Sequence, residues 1–324
     1  VNDRHPGDEA LKRVLNALPS IYSSPQERTE DRLRSFLRPK LNALQPRTGE
    51  KPTDYRMRIM GAFSGPRWVL LRRIIAQDFT RANGSTIDEI NNGLVSAFAA
   101  GMNESAYVMA LSGVEMWPIT EAIVAGLENA KVISLPRRKL KRGKDTSYNE
   151  QRLKIAVRSA VFQVEKPEEI PRKAAFLMAK ARKSEMISAA RASIYGASDS
   201  GAYLLGREAQ HMGLDVEETW LAIMDMNVRT SHKHLHGTTI KVGEKFHGLY
   251  GDLRYPHDPE APPQETYRCR CRMAVHLAGK SPGEYSRELL PTQTSAYRKW
   301  RDAQIRKAGG EVELEKLHRR WLKG

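Results

Sequence analysis

What most constrains this chain is a change of texture at Gly213. Before it, apolar residues recur at three- and four-residue intervals, in stretches such as DYRMRIMGAFSGPRWVLLRRIIAQDF and STIDEINNGLVSAFAAGM. That is the period of helices packed on one another. Beyond it, the stretch ETWLAIMDMNVRTSHKHLHGTTIKVGEKFHGLYGDLRYPHDPEAPPQETYRCRCRMAVHLA crowds Gly, Pro and aromatic residues between short alternating runs such as TTIKVGEKF. That is the signature of a compact, loop-rich fold with a few short strands. The expected fold is a mainly α N-terminal region, a helical bundle with an extended arm, followed by a small α+β, loop-rich C-terminal module and a helical tail. The divisions fall at 1–55 (arm), 56–210 (helical domain), 211–280 (module) and 281–324 (basic helical tail).

Within the arm, DEALKRVLNAL and RTEDRLRSFLRPKLNAL read as short helices, with PSIYSSPQE and QPRTGEKPTDY as extended links. Ser85 and Thr86, ahead of Asp88 and Glu89, read as a helix N-terminus. Residues 93–127 carry no charge except Glu104, Glu115 and Glu121, which fits buried helices. From Ile170-Pro171 the pattern predicts two further helices. The second holds Ala189, Ala190, Ala192, Gly196, Ala197, Gly201 and Ala202, small enough for close helix–helix approach, with Gly213 as its stop. No apolar run is long enough to span a membrane. The N-terminal residues lack the basic-then-apolar layout of a secretory signal, so folding in the cytosol is expected.

The formal net charge of +15 predicts attraction to a polyanion, chiefly nucleic acid, or to an acidic protein surface. The charge is densest between Pro136 and Lys144, where Arg137, Arg138, Lys139, Lys141, Arg142 and Lys144 make six of nine residues basic. Pro136 and Gly143 should keep this run out of a helix, as an exposed loop that either grips phosphates or an acidic groove or is only a solvated turn.

Three histidines, His232, His234 and His236, lie within five positions, and the chain's two cysteines form the C-x-C pair Cys269 and Cys271. A disulfide across one intervening residue would be severely strained, so free thiols or thiolate ligands are expected. His232 and His236 with the two thiolates would supply the four ligands of a tetrahedral structural zinc. The alternative is a set of hydrogen-bonded loop histidines beside two inert thiols. Asp225, Glu244 and Asp252 are acids in the region, but no zinc-hydrolase or zinc-deaminase frame accompanies them. P-loop, G-x-G-x-x-G and G-x-S-x-G patterns are also missing, so no catalytic constellation is expected.

Taken together, Trp220, then Asp225, Arg229, His232 and Gly237, then Phe246, then Pro256, Asp258 and Pro259, closed by Cys269-Arg270-Cys271, resemble the head morphogenesis domain of the Mu F-like phage minor head proteins. Three departures stand out. SAARAS replaces an Ala-Arg-Thr-Glu stretch, His257 stands where a Gly is usual, and Arg268 stands where an acid or amide often precedes the Cys-Arg-Cys. The resemblance implies a minor capsid component, present in a few copies at the portal vertex of the virion and folded in the host cytoplasm during assembly. Its implied partners are the portal protein, the major capsid or scaffolding protein, and double-stranded DNA. The residues themselves fit a module pinned by Asp225, Arg229 and His232, with Asp225 and Arg229 spaced to pair across one turn. The rival readings are a metal-dependent nuclease or toxin-like effector carrying a head-protein module, and a plain DNA-binding protein.

Overall fold

The computed structural model describes residues 5–280 and 291–323; the first ten residues of the expected tail, 281–290, lie outside the described residues. The helices are α1 (Asp8–Leu37), α2 (Pro52–Ala62), α3 (Gly65–Leu111), α4 (Glu121–Asn129), α5 (Arg142–Gln163), α6 (Ile170–His211), α7 (Thr230–Leu235), α8 (Pro263–Thr266), α9 (Ser295–Lys307) and α10 (Glu311–Lys323). The strands are β1 (Val216–Leu221), β2 (Thr239–Lys241), β3 (Phe246–His247), β4 (Asp252–Leu253) and β5 (Arg272–Leu277). The protein is thus mainly α with a small α+β module, as the change of texture predicts. No helix among the described residues is long and apolar enough to cross a membrane.

The chain forms two compact units, and they cut across the linear divisions drawn from the sequence. The helical unit takes residues 15–89 and 138–187. Its core includes Tyr22, Leu33, Leu37, Ile75, Phe79, Leu153 and Met178, so much of the segment expected to be an arm is core. A polar thread runs through it. Tyr22 donates to Asn83, Asn83 donates to Asp145 at 2.8 Å, and Asn149 donates to the same Asp145 oxygen at 3.1 Å.

The module-bearing unit takes residues up to 14, 90–137 and 188 onward. Here α3 and α6 cross with glycine facing backbone on both sides. A Cβ on Gly101 would collide with the Ser198 carbonyl, and one on Gly201 with that of Phe98. The small residues of α6 therefore do what their size predicts. At its end, Gly213 adopts φ +83° and the Leu214 N–H returns to the Ala209 carbonyl, closing the helix. The chain then enters an antiparallel sheet of order β2-β1-β5, with Glu218 opposite Ile240 and Trp220 opposite Met273. β3 and β4 pair as a separate antiparallel ladder, Phe246 opposite Leu253.

Several local expectations fail, each for a physical reason. The two short helices and their PSIYSSPQE link are one helix, α1, with Pro19 and Pro25 inside it. Each interior proline costs about 3 kcal/mol, which burial of Leu18, Tyr22, Leu33 and Leu37 at roughly 1.5–3 kcal/mol each offsets. Ser85 and Thr86 do not cap a helix but lie inside α3, their hydroxyls donating to the Arg81 and Ala82 carbonyls. The two helices expected after Pro171 are the single α6, because Gly196 and Gly201 pack rather than break it. The basic run is a loop only to Lys141, and Arg142, Gly143 and Lys144 form the first turn of α5.

Candidate functional site

The module is organised around β1. Its Val216, Glu218 and Trp220 share one face, by the two-residue alternation of a strand. Trp220 is fully buried, with Phe246 and His232 each edge-on to it at 5.2 Å between ring centroids. The histidines sit on the short helix α7, not on a loop. α7 turns His232 and Leu235 inward and leaves Lys233 and His234 exposed. It ends at Leu235, so His236 leaves the face that His232 occupies, and its Nδ1 instead accepts the Ala222 N–H at 3.1 Å. Gly237, at φ +80°, then turns the chain into β2.

On the lead-in to β5, alternation sends Cys269 and Cys271 inward and Arg270 outward to Asp225 at 2.7 Å. That pairing corrects the expected Asp225–Arg229 contact. Arg229 stands at the N-cap position of α7, and its side chain donates to the carbonyls of Gln264 and Tyr267, tying α7 to the α8 segment. Arg270 holds the Asp225 carboxyl down at about 2.

His232, Cys269 and Cys271 converge in the core, with the His232 Nδ1 3.2 Å from the Cys271 sulfur and 3.6 Å from that of Cys269. The other ring nitrogen faces Glu265 at 3.1 Å. Glu265 is fully buried and also accepts from the Ser231 hydroxyl at 2.8 Å and the Tyr250 N–H at 2.9 Å. Hydrogen bonding from Cys269 lowers the Cys271 pKa, while burial pushes the Cys269 thiol up. Beside the cluster lies a cavity of about 20 Å³, lined by Ile223, Asn227, Val228 and the three arginines 229, 268 and 270.

A second buried cluster begins at the Cys269 carbonyl, which accepts from His257 Nε2 at 2.9 Å. The other nitrogen of His257 meets Asp199 at 2.9 Å, and His5 Nε2 approaches the same carboxylate at 3.3 Å. His5 stacks on Tyr195, whose hydroxyl donates to Asp8 at 2.6 Å. Burial lowers the His5 pKa; it would do the same to His257, but Asp199 outweighs it and raises that ring. His257 and Arg268, two of the three departures from the family pattern, have φ of +64° and +55°, the left-handed region that glycine enters at least cost. Asp258 is buried and accepts two bonds from the Arg254 guanidinium, at 2.9 and 2.7 Å, next to buried Pro256.

Two functional-type residues escape a reading of the sequence. Glu218 is buried in β1, neither of its oxygens has a hydrogen-bond partner among the described residues, and desolvation pushes its pKa up to about 9. Its one signal is an acid in register with Val216 and Trp220. His318 of α10 is buried between the Glu208 carboxylate at 3.1 Å and the Pro118 carbonyl at 3.0 Å, so α10 is docked. In the basic run, Arg137 is engaged by Glu128 at 2.5 and 2.8 Å and desolvation lowers the Arg138 pKa, while Lys139, Lys141, Arg142 and Lys144 are exposed.

The family model for phage Mu protein F-like proteins matches residues 88–274, more than half of the chain. The chain belongs to that family. It is therefore a protein of phage head morphogenesis, a structural rather than an enzymatic family. Neither among curated proteins nor among solved structures is there a significant match. The matched span of this Mu F-like protein includes Asp199, His232, Glu265, Cys269 and Cys271, whereas His5 and His318 lie outside it.

Proposed function

We propose that this Mu F-like protein is a minor head protein that acts by binding, first to portal and capsid or scaffolding proteins as the head assembles, then to packaged double-stranded DNA. The family match over residues 88–274 carries the reading. The net charge of +15 and the exposed cations at Lys139, Lys141, Arg142 and Lys144 support its DNA arm, since phosphate neutralisation needs charge rather than a shaped pocket. A module built on a buried Trp220–Phe246–His232 core suits a rigid docking unit better than a moving one.

The test is head assembly with the portal, scaffolding and major capsid proteins of the same phage, with and without this chain. The expected result is incorporation in a few copies per particle, only when portal is present. Incorporation that ignores the portal, or no incorporation into heads at all, overturns the reading. For DNA, replacing Lys139, Lys141, Arg142 and Lys144 by alanine should flatten the plot of log affinity against log salt by about 0.9 for each phosphate that is no longer neutralised.

A further inference from the structure

We infer that His232, Cys269 and Cys271 are the protein ligands of a zinc ion, and that Glu265 is a positioning residue for its imidazole ligand. A tetrahedral zinc with bonds of about 2.1 Å to nitrogen and 2.3 Å to sulfur sets those atoms roughly 3.6 Å apart. The observed 3.2 and 3.6 Å agree with that distance to within a few tenths of an ångström, and all three donor atoms lie within 4.8 Å of one another.

The proton positions point the same way. Glu265 accepts from Ser231 and Tyr250, so it is an acceptor toward His232 as well, and the ring proton belongs on Nε2. The lone pair on Nδ1 then faces two sulfurs at once. Without an ion, only one S–H can use that lone pair; an ion engages both. A carboxylate behind a histidine ligand fixes its tautomer and its aim, and Trp220 packed edge-on to the ring fixes its plane. Two thiolates and an imidazole select zinc among the common divalent ions.

The cavity of about 20 Å³ is lined by His232, Cys269 and Cys271 together with Asn227 and Val228, and would admit one water as a fourth ligand. Binding takes up the ion and releases whatever protons the two thiols still hold. The ion ties α7 to the lead-in of β5, across the whole loop that carries β3, β4 and α8.

The second cluster does not qualify. His5 Nδ1 accepts the Gly7 N–H at 3.0 Å, which puts the ring proton on Nε2, the atom that faces Asp199.

The test is elemental analysis of the purified full-length protein and of Cys269→Ser/Cys271→Ser, His232→Ala, His236→Ala and Glu265→Gln. About one zinc per chain is expected in the wild type and in His236→Ala, with about tenfold less in the cysteine and His232 variants. Glu265→Gln should retain the site but bind zinc roughly 10–100-fold more weakly. Because the cysteine variant depends on folding without its metal, a second measurement uses the wild type alone. Cobalt added to chelated protein should give an intense thiolate-to-cobalt absorption band. A folded wild type with neither zinc nor that band overturns the site. Loss of metal in His236→Ala overturns the ligand set, and unchanged affinity in Glu265→Gln overturns the role of Glu265.

Discussion

The two buried histidine clusters of the module-bearing unit share Cys269 and differ in what each ring's second nitrogen meets. His257 has a carbonyl on one side and a carboxylate on the other, two acceptors, and Asp199 raises its pKa against the effect of burial. His232 has a carboxylate on one side and two sulfurs on the other, a donor toward the first and a lone pair toward the second. The same side chain thus meets two acceptors in one cluster and turns a lone pair toward two sulfurs in the other, decided by the neighbours of one atom. Burial does not distinguish them, since both are all but inaccessible.

The largest effect that would sharpen this contrast is metal removal. Chelation of the wild type should destabilise the module by more than about 5 kcal/mol, since ligand binding that exists only in the fold is folding energy; a thermal melt with and without chelator reads it. Next is His257→Ala, which strands Asp199 in the core with only His5 and should cost about 3–5 kcal/mol. His257→Gly removes the same partner but relieves the positive φ, so it should cost less than alanine by about 1 kcal/mol in denaturant titration. Equal losses would show that the left-handed backbone at this position carries no strain for alanine to expose.

Glu218 is the comparison's third term, a buried carboxyl with no hydrogen-bond partner among the described residues. With its folded pKa near 9 and its unfolded value near 4.5, the native state holds a proton that the unfolded state releases, so stability falls as pH rises between those values. At pH 7 the penalty is roughly 1.36 kcal/mol for each of 2.5 pH units, about 3 kcal/mol. Glu218→Gln should recover it and flatten the pH dependence of the melting midpoint. The smallest effect concerns His318. Burial opposes its charge, but Glu208 and the Pro118 carbonyl raise its pKa. Its contribution is therefore complete below the ordinary histidine value near 6.5 and lost as pH rises through the raised one. Hydrogen exchange in residues 311–323 should accelerate over that interval and become pH-independent, apart from intrinsic exchange, in His318→Ala.

What the sequence makes legible depends on how local the cause is. The boundary at Gly213 and the close crossing of α6 are written in periodicity and side-chain size. His232, Cys269 and Cys271 stand out by residue type and by the C-x-C spacing, although their meeting across 37 and 39 residues is a matter of the fold. Residue type draws in His236 as well, and only the end of α7 at Leu235 removes it. Glu265, Asp199 and His5 carry no local signal, because their partners lie tens to hundreds of residues away. Arg229 misleads for a related reason: its partners are backbone carbonyls, to which sequence reading assigns no side-chain identity. The prolines of α1 mislead because a strong local preference is outweighed by burial contributed from elsewhere.

The division into units also sets an order of events at the ribosome. The helical unit has its last stretch by residue 187, whereas the module-bearing unit waits for β1, β5 and the docked α10. Translation at roughly 5–20 residues per second makes the interval from residue 188 to 323 about 7–27 s. Through that interval the apolar faces of α3 at Leu94, Phe98 and Met102 have only part of their eventual cover. The contact between Tyr195 and Asp8, 187 residues apart in the chain, keeps the N-terminal segment waiting as well. Nascent chains stalled within the module are therefore the form of this protein most in need of a chaperone.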